Sequence, residues 1–193
     1  MITIEEIRER RAKRIVFWSL VLSMAWPIAL ILVWTAPFEL SFYGGPLAIL
    51  GWVLSGLVGL VLAGIAFSQK AHGRMLAILV LPATALLAAI NVNLVWDTSM
   101  RWGYLIHAGV MKPFYLRDID KLPAEQPKLA AFSWGSFVDV SLGVVYDESD
   151  EIAKPPEARP PAWNQRATGT LAACEVLETL PAGDHFYVVR VAC

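Results

Sequence analysis

The sequence predicts a membrane protein: three transmembrane α-helices, then a small β-rich extracytoplasmic domain closing on a C-terminal hairpin. Three observations predict it. Residues 15–35, 45–67 and 75–96 are apolar segments without Asp, Glu, Lys, Arg or His. Each exceeds the roughly 20 residues that a helix needs to cross a hydrocarbon core. The chain of 193 residues is 56% hydrophobic and only 17% charged, with a mean hydropathy of +0.53, which lies outside the usual soluble range. Residues 97–193, by contrast, carry nine Lys or Arg and thirteen Asp or Glu, as a small globular domain does.

The N-terminal residues 1–14 read as a cytoplasmic amphipathic helix. Thr3 and Glu6 fit a capping box, with Ile2 and Ile7 spaced as a hydrophobic staple. Glu6–Arg10 and Glu9–Lys13 are i,i+4 pairs in the favourable order. The basic residues Arg8, Arg10, Arg11, Lys13 and Arg14 abut an apolar span, so they read as a positive-inside anchor rather than a nucleic-acid patch. The apolar stretch that follows is too long for a signal peptide, and Trp34 and Pro37 spoil a cleavage site. It is expected to be a retained anchor, kinked at Pro27, with Trp18 and Trp34 in the two interfacial belts.

In the middle span Gly51, Ser55, Gly59 and Ala63 recur every fourth residue. That spacing aligns them on one helix stripe where backbones approach closely, and predicts the hub on which the other two spans pack. The third span carries Pro82, with Asn91 and Asn93 near its outer end as helix–helix or headgroup contacts. No ionisable residue lies at depth, which argues against an ion-coupled transporter.

Orientation follows from the loops. Residues 36–44 contain no Lys or Arg, whereas residues 68–74 contain Lys70, His72 and Arg74. The N-terminus is therefore expected inside and residues 97–193 outside, where both cysteines lie. The outer domain is mildly acidic, which argues against nucleic acid. Tyr104–Met111 reads as a short strand and Lys112–Lys128 as a surface connection. Runs at 132–138 and 142–146 read as a hairpin or meander around Asp139, and residues 164–167 as a short helix. Residues 171–180 and 185–193 form the final strand pair. Gly183-Asp184 as its two-residue turn makes Cys174 face Cys193 at disulfide distance. The same register gathers Cys174, Val176, Leu180, Tyr187, Val189, Val191 and Cys193 on one apolar face, with Glu178 as the exception.

The densest carboxylate group is Asp147-Glu148-Ser149-Asp150-Glu151. As a calcium loop it fails, because the sixth and twelfth positions are Ile152 and Ala158. It reads as a solvated acidic loop, with Asp147, Asp150 and Glu151 as the residues that would hold a ligand if one binds. His72, His107 and His185 show no zinc spacing, and no P-loop, dinucleotide or nucleophile-elbow motif occurs. His107, among apolar residues, reads as a satisfied interfacial histidine, and His185 as a turn neighbour. The proline-rich 154–161 lacks PxxP spacing and reads as a stiff loop over the sheet.

Tyr146–Ile152, with the prolines and Ala162-Trp163 that follow, resembles a segment of uncharacterised proteobacterial inner-membrane proteins sharing a YDxSDEI-type run. The resemblance covers about forty residues and implies a bacterial inner-membrane location but no activity. The expected divisions are 1–14, 15–96 and a periplasmic 97–193. The expected role is non-enzymatic, without cofactor or metal: an accessory or interaction protein of the cell envelope. Its partners would be the lipid bilayer and other membrane subunits or a second copy. The alternative is an envelope sensor binding a metal or small molecule through its periplasmic domain.

Overall fold

The structure, a computed structural model, describes residues 4–36, 38–123 and 127–193. The capping box at Thr3 and the staple from Ile2 lie outside the described residues, as does the side chain of His72. The chain divides into two compact units, residues 4–33 with 43–99 and residues 34–42 with 100–193.

The first unit is helical. It contains α1 (Ile4–Val33), most of α2 (Phe38–Ser68), α3 (His72–Ile90) and the first two turns of α4 (Val92–Ile119). Among the described residues two helical stretches, Lys13–Val33 and Tyr43–Ser68, are long and apolar enough to cross a membrane. There is a third if α3 and α4, bent by 91° across their break, are counted as one span. The expected span 75–96 is thus not one helix. Asn91 ends α3: its side-chain amide and its backbone N–H both donate to the Leu87 carbonyl, at 2.9 and 3.1 Å. Asn competes with the backbone for hydrogen bonds in this way and suits helix ends better than interiors.

The glycines of the small-residue stripe meet two different partners. A Cβ on Gly51 would meet the Trp26 ring of α1 at 2.5 Å, whereas one on Gly59 would meet the Pro82 ring of α3 at 2.9 Å. Ser55 donates to its own helix, at the Gly51 carbonyl, 2.8 Å away. Ala63 is buried with Ala66 and Ile78. Gly56, off the stripe, is packed as tightly: its Cβ would lie 2.6 Å from that of Ala85. Since α1 also packs along α3 directly, α2 is not the sole hub of this unit. Gly56→Leu and Gly59→Leu should each lower thermal stability in detergent by about 1 kcal/mol or more. Gly64→Ala, with nothing within 4 Å, should melt with the parent. Equal melting of all three would place these glycines against lipid.

The second unit is built on a four-stranded antiparallel sheet of β1 (Leu129–Phe137), β2 (Val140–Asp147), β3 (Glu175–Gly183) and β4 (Phe186–Ala192), in the order β1-β2-β4-β3. The β1–β2 hairpin turns at Val138-Asp139, as expected. Both faces of the sheet are covered. On one, Val145, Val189 and Val191 pack against Ile152, Trp163, Ala167 and Ala172 from residues 148–174. On the other, Val144 and Phe186 pack against Tyr115 and Ile119 of α4. Alternate residues of a strand point to opposite faces, so Val144 and Val145 both reach zero exposure.

Two expectations are corrected by α4. Tyr104–Met111 is helical rather than extended, and the first eight residues of 112–128 continue that helix. Its buried positions include Tyr104, Ala108, Tyr115 and Ile119, at helical spacing. Packing on the sheet outweighs the weak strand preference of Tyr-Leu-Ile. Trp34 is not a lipid-facing belt residue, being 3% exposed and edge-on to Tyr104 at 6.0 Å. His107 sits on α4, where Nδ1 donates to the Thr35 carbonyl at 2.7 Å and the ring lies 4.4 Å from that of Trp134.

The last hairpin also differs in detail. Its central turn residues are Asp184 and His185, at φ 49° and 65°, rather than Gly183 and Asp184. Two left-handed residues match the twist of the flanking strands. Register irregularities after Pro181 and after Val176 then restore the predicted pairing at the open end, where Val176 faces Val191 and Glu175 faces Ala192. The step at Leu177 turns Glu178 off the apolar face. Glu178 lies instead opposite Arg190 and accepts from Arg101 at 3.1 Å.

Candidate functional site

The densest polar construction in the second unit surrounds Asp147, the last residue of β2. Its side chain is fully buried, so the expectation of a wholly solvated acidic loop is corrected at this position. A buried carboxylate must be satisfied by donors, and four supply it. Oδ1 accepts from the Ser149 N–H at 3.1 Å and hydroxyl at 2.6 Å, and Oδ2 from the Ile152 N–H and Trp163 Nε1, both at 2.8 Å. The carboxylate thereby ties the end of β2 to the 3-10 turn Glu151–Ala153 and to α5 (Pro161–Ala167).

Arg159 closes this layer. Its Nε and Nη2 donate to the Lys154 and Ile152 carbonyls at 3.0 and 3.1 Å, and its guanidinium lies 5.0 Å from the Trp163 ring centre. The proline-rich 154–161 is therefore folded around an arginine clamp, and contains a 3-10 turn at Pro156–Ala158. Pro160 precedes α5 and Pro161 opens it, at positions where a missing N–H costs nothing.

The other carboxylates of the loop have partners of their own. Asp150, at φ 56°, accepts at Oδ1 from the Tyr187 hydroxyl at 2.7 Å and lies 2.9 Å from His185 Nδ1. Glu151 accepts from Lys154 at 2.9 Å. Among the described residues no three His, Cys, Asp or Glu side chains group as a metal site. Of the three loop carboxylates singled out in the sequence, Asp147 is the one that is fully buried.

The Tyr187 and His185 hydrogen bonds hold the Asp150 carboxyl below its ordinary value, and the Asp150 bond raises that of His185. Burial and the Asp150 charge push the Tyr187 phenol up to about 12, so it remains a donor. The Asp150 contribution is present above about pH 4 and lost as pH falls through its lowered folded value. The His185 contribution is complete below about pH 6.5 and lost as pH rises through its raised folded value. The stability difference between the parent and His185→Asn should therefore be largest between about pH 4 and 6.5. Asn suits the left-handed backbone there. Melting curves across pH check this, and a flat difference would remove the ion pair from the argument. Both groups are substantially exposed, so the effect is small.

Beside the Asp147 layer lies an open cleft of about 490 Å³. Trp163, Pro127, Pro160 and Ala162 give it apolar walls, and Ser149, Glu151, Gln165 and Arg166 supply polar groups. Arg166 is positioned by the Pro127 carbonyl and by the Ser149 hydroxyl at 3.4 Å. The sequence reading missed Trp163, Arg159 and Arg166. The available signal was a lone Trp in a polar, proline-rich stretch, which such a stretch keeps only by burying it.

At the far end of the same layer, Cys174 and Cys193 are disulfide-bonded, with Cα atoms 5.1 Å apart. Cys174 packs against the core that holds Trp163. The site is thus a stapled, internally satisfied polar layer with one open trough on its surface. No protein-family model matches this chain, and no curated protein or solved structure matches it.

Proposed function

We propose that this chain is a bacterial inner-membrane protein whose second unit stands in the periplasm and serves as a non-enzymatic interaction module of the cell envelope. The observation that carries the reading is the cleft of Trp163, Pro127, Pro160 and Ala162. Its apolar walls and few polar groups suit a segment of a partner polypeptide. The Asp147 carboxylate beside it is spent on four internal donors and has no lone pair aimed at a reactant. The five basic residues before the first span and the disulfide both support a cytoplasmic N-terminus and an oxidising outer side.

The test is co-purification of the full chain in mild detergent. A stoichiometric membrane or envelope partner is expected, lost on Ala162→Trp, which fills the cleft, while the melting temperature is kept. A bound ion or small ligand in its place would favour the sensor reading, and a partner retained by Ala162→Trp would move the interface elsewhere. Orientation is tested separately: a reporter active only in the periplasm should be active after Cys193 and silent at Lys70. The reverse pattern would overturn the proposed compartment.

A further inference from the structure

The helix α4 is apolar on two sides. Its inner face is occupied by the sheet, through Tyr115 and Ile119. Its outer face presents Trp102 (56% exposed), Ile106 (42%), Val110 (67%) and Phe114 (58%) at intervals of four residues. At 1.5 Å per residue these cover about 18 Å of helix length. Leu116 is exposed beside them, and the charged residues Arg117 and Asp118 follow at the end of the helix. A contiguous apolar stripe of this size is not left to water in a soluble unit.

We propose that this stripe rests on the surface of the lipid bilayer, buried at the boundary between headgroups and acyl chains. Two observations choose lipid over another protein chain. The stripe continues a membrane segment: α4 starts at Val92, one residue beyond the end of apolar α3, and Val92 and Leu94 in its first turn are exposed as well. The helix also cannot cross the membrane at this point, because the sheet on its inner face carries Glu178 and Arg190, and the adjoining turn Asp184, which hydrocarbon would not accept. A helix with one apolar face free and a folded polar unit on the other lies in the interface plane. Trp102 is the residue type that such a boundary favours. The charges along the helix are mixed, with Arg101, Lys112 and Arg117 against Asp97 and Asp118. The attachment is therefore apolar rather than electrostatic.

This inference rests on the membrane reading of the first unit, and the experiment separates the two. The full chain is placed in phosphatidylethanolamine–phosphatidylglycerol vesicles, with a spin label at Val110→Cys or Phe114→Cys. References are Val61→Cys on exposed α2 and Val138→Cys at the β1–β2 turn. Labels at 110 and 114 should favour collision with oxygen over a nickel chelate several-fold more than the label at 138. They should approach the label at 61 and be unchanged in high salt. Chelate access equal to that at 138 would overturn the interfacial helix, as would protection from both reagents, the signature of a second protein chain. Chelate access at 61 itself would overturn the membrane reading, a separate failure.

Discussion

Asp147→Ala should destabilise the second unit by about 3–5 kcal/mol, the range for a buried, hydrogen-bonded charge network that loses one member. The substitution strands the Ile152 N–H and the Trp163 indole N–H in a core where neither residue reaches water. Asp147→Asn should be nearly as damaging despite its similar size. Both carboxylate oxygens accept two hydrogen bonds, and an amide can offer only one oxygen, so its NH2 must oppose two donors. A domain of this size loses about 4–8 °C per kcal/mol, so the melting transition should fall by roughly 15 °C or more. Glu148→Gln, on an exposed neighbour, serves as the control. Tryptophan emission of the full chain in detergent reads the transition. If Asp147→Asn melts with the parent, the carboxylate is not the anchor of its layer.

The second large effect is at the disulfide. Replacing Cys174 and Cys193 together with Ser should cost about 3 kcal/mol, mostly by restoring freedom to an unfolded chain otherwise closed across 19 residues. The loss should be matched by reduction of the parent and should not add to it. Mass spectrometry of freshly isolated, non-reduced protein gives the prior check: no alkylatable thiol is expected, and two would remove the bond and the register together.

Cys174 and Cys193 also show how much of the fold the sequence discloses. Their pairing follows from a hairpin turn expected at Gly183-Asp184, one residue before the observed turn at Asp184-His185. It holds because two irregularities, after Pro181 and after Val176, return the strands to the predicted register at the open end. Periodicity reports an average over a strand, and a single bulge shifts a side chain to the other face without altering that average. Glu178 was the visible trace of such a step, a lone charge on an otherwise apolar face. Length and hydropathy make α1 and α2 legible because long, uninterrupted apolar stretches have few alternatives to a helix. The helix α4 was not legible, since its outer face is apolar as well and no polar face marks its period. Asp147 could not be told from its acidic neighbours, because local composition does not state which carboxylate turns inward. Trp163, 16 residues further on, is what selects it.

The double covering of the sheet sets a clock for exchange with solvent. Edge strands β1 and β3 can loosen alone, and their amides should exchange with deuterium through partial openings. The middle strands β2 and β4 pair with each other and are roofed on both sides, with Val144, Val145, Val189 and Val191 at zero exposure. Deuterium reaches their amides only when the whole unit opens, so the slowest-exchanging protons belong to the β2–β4 seam and report its global stability directly.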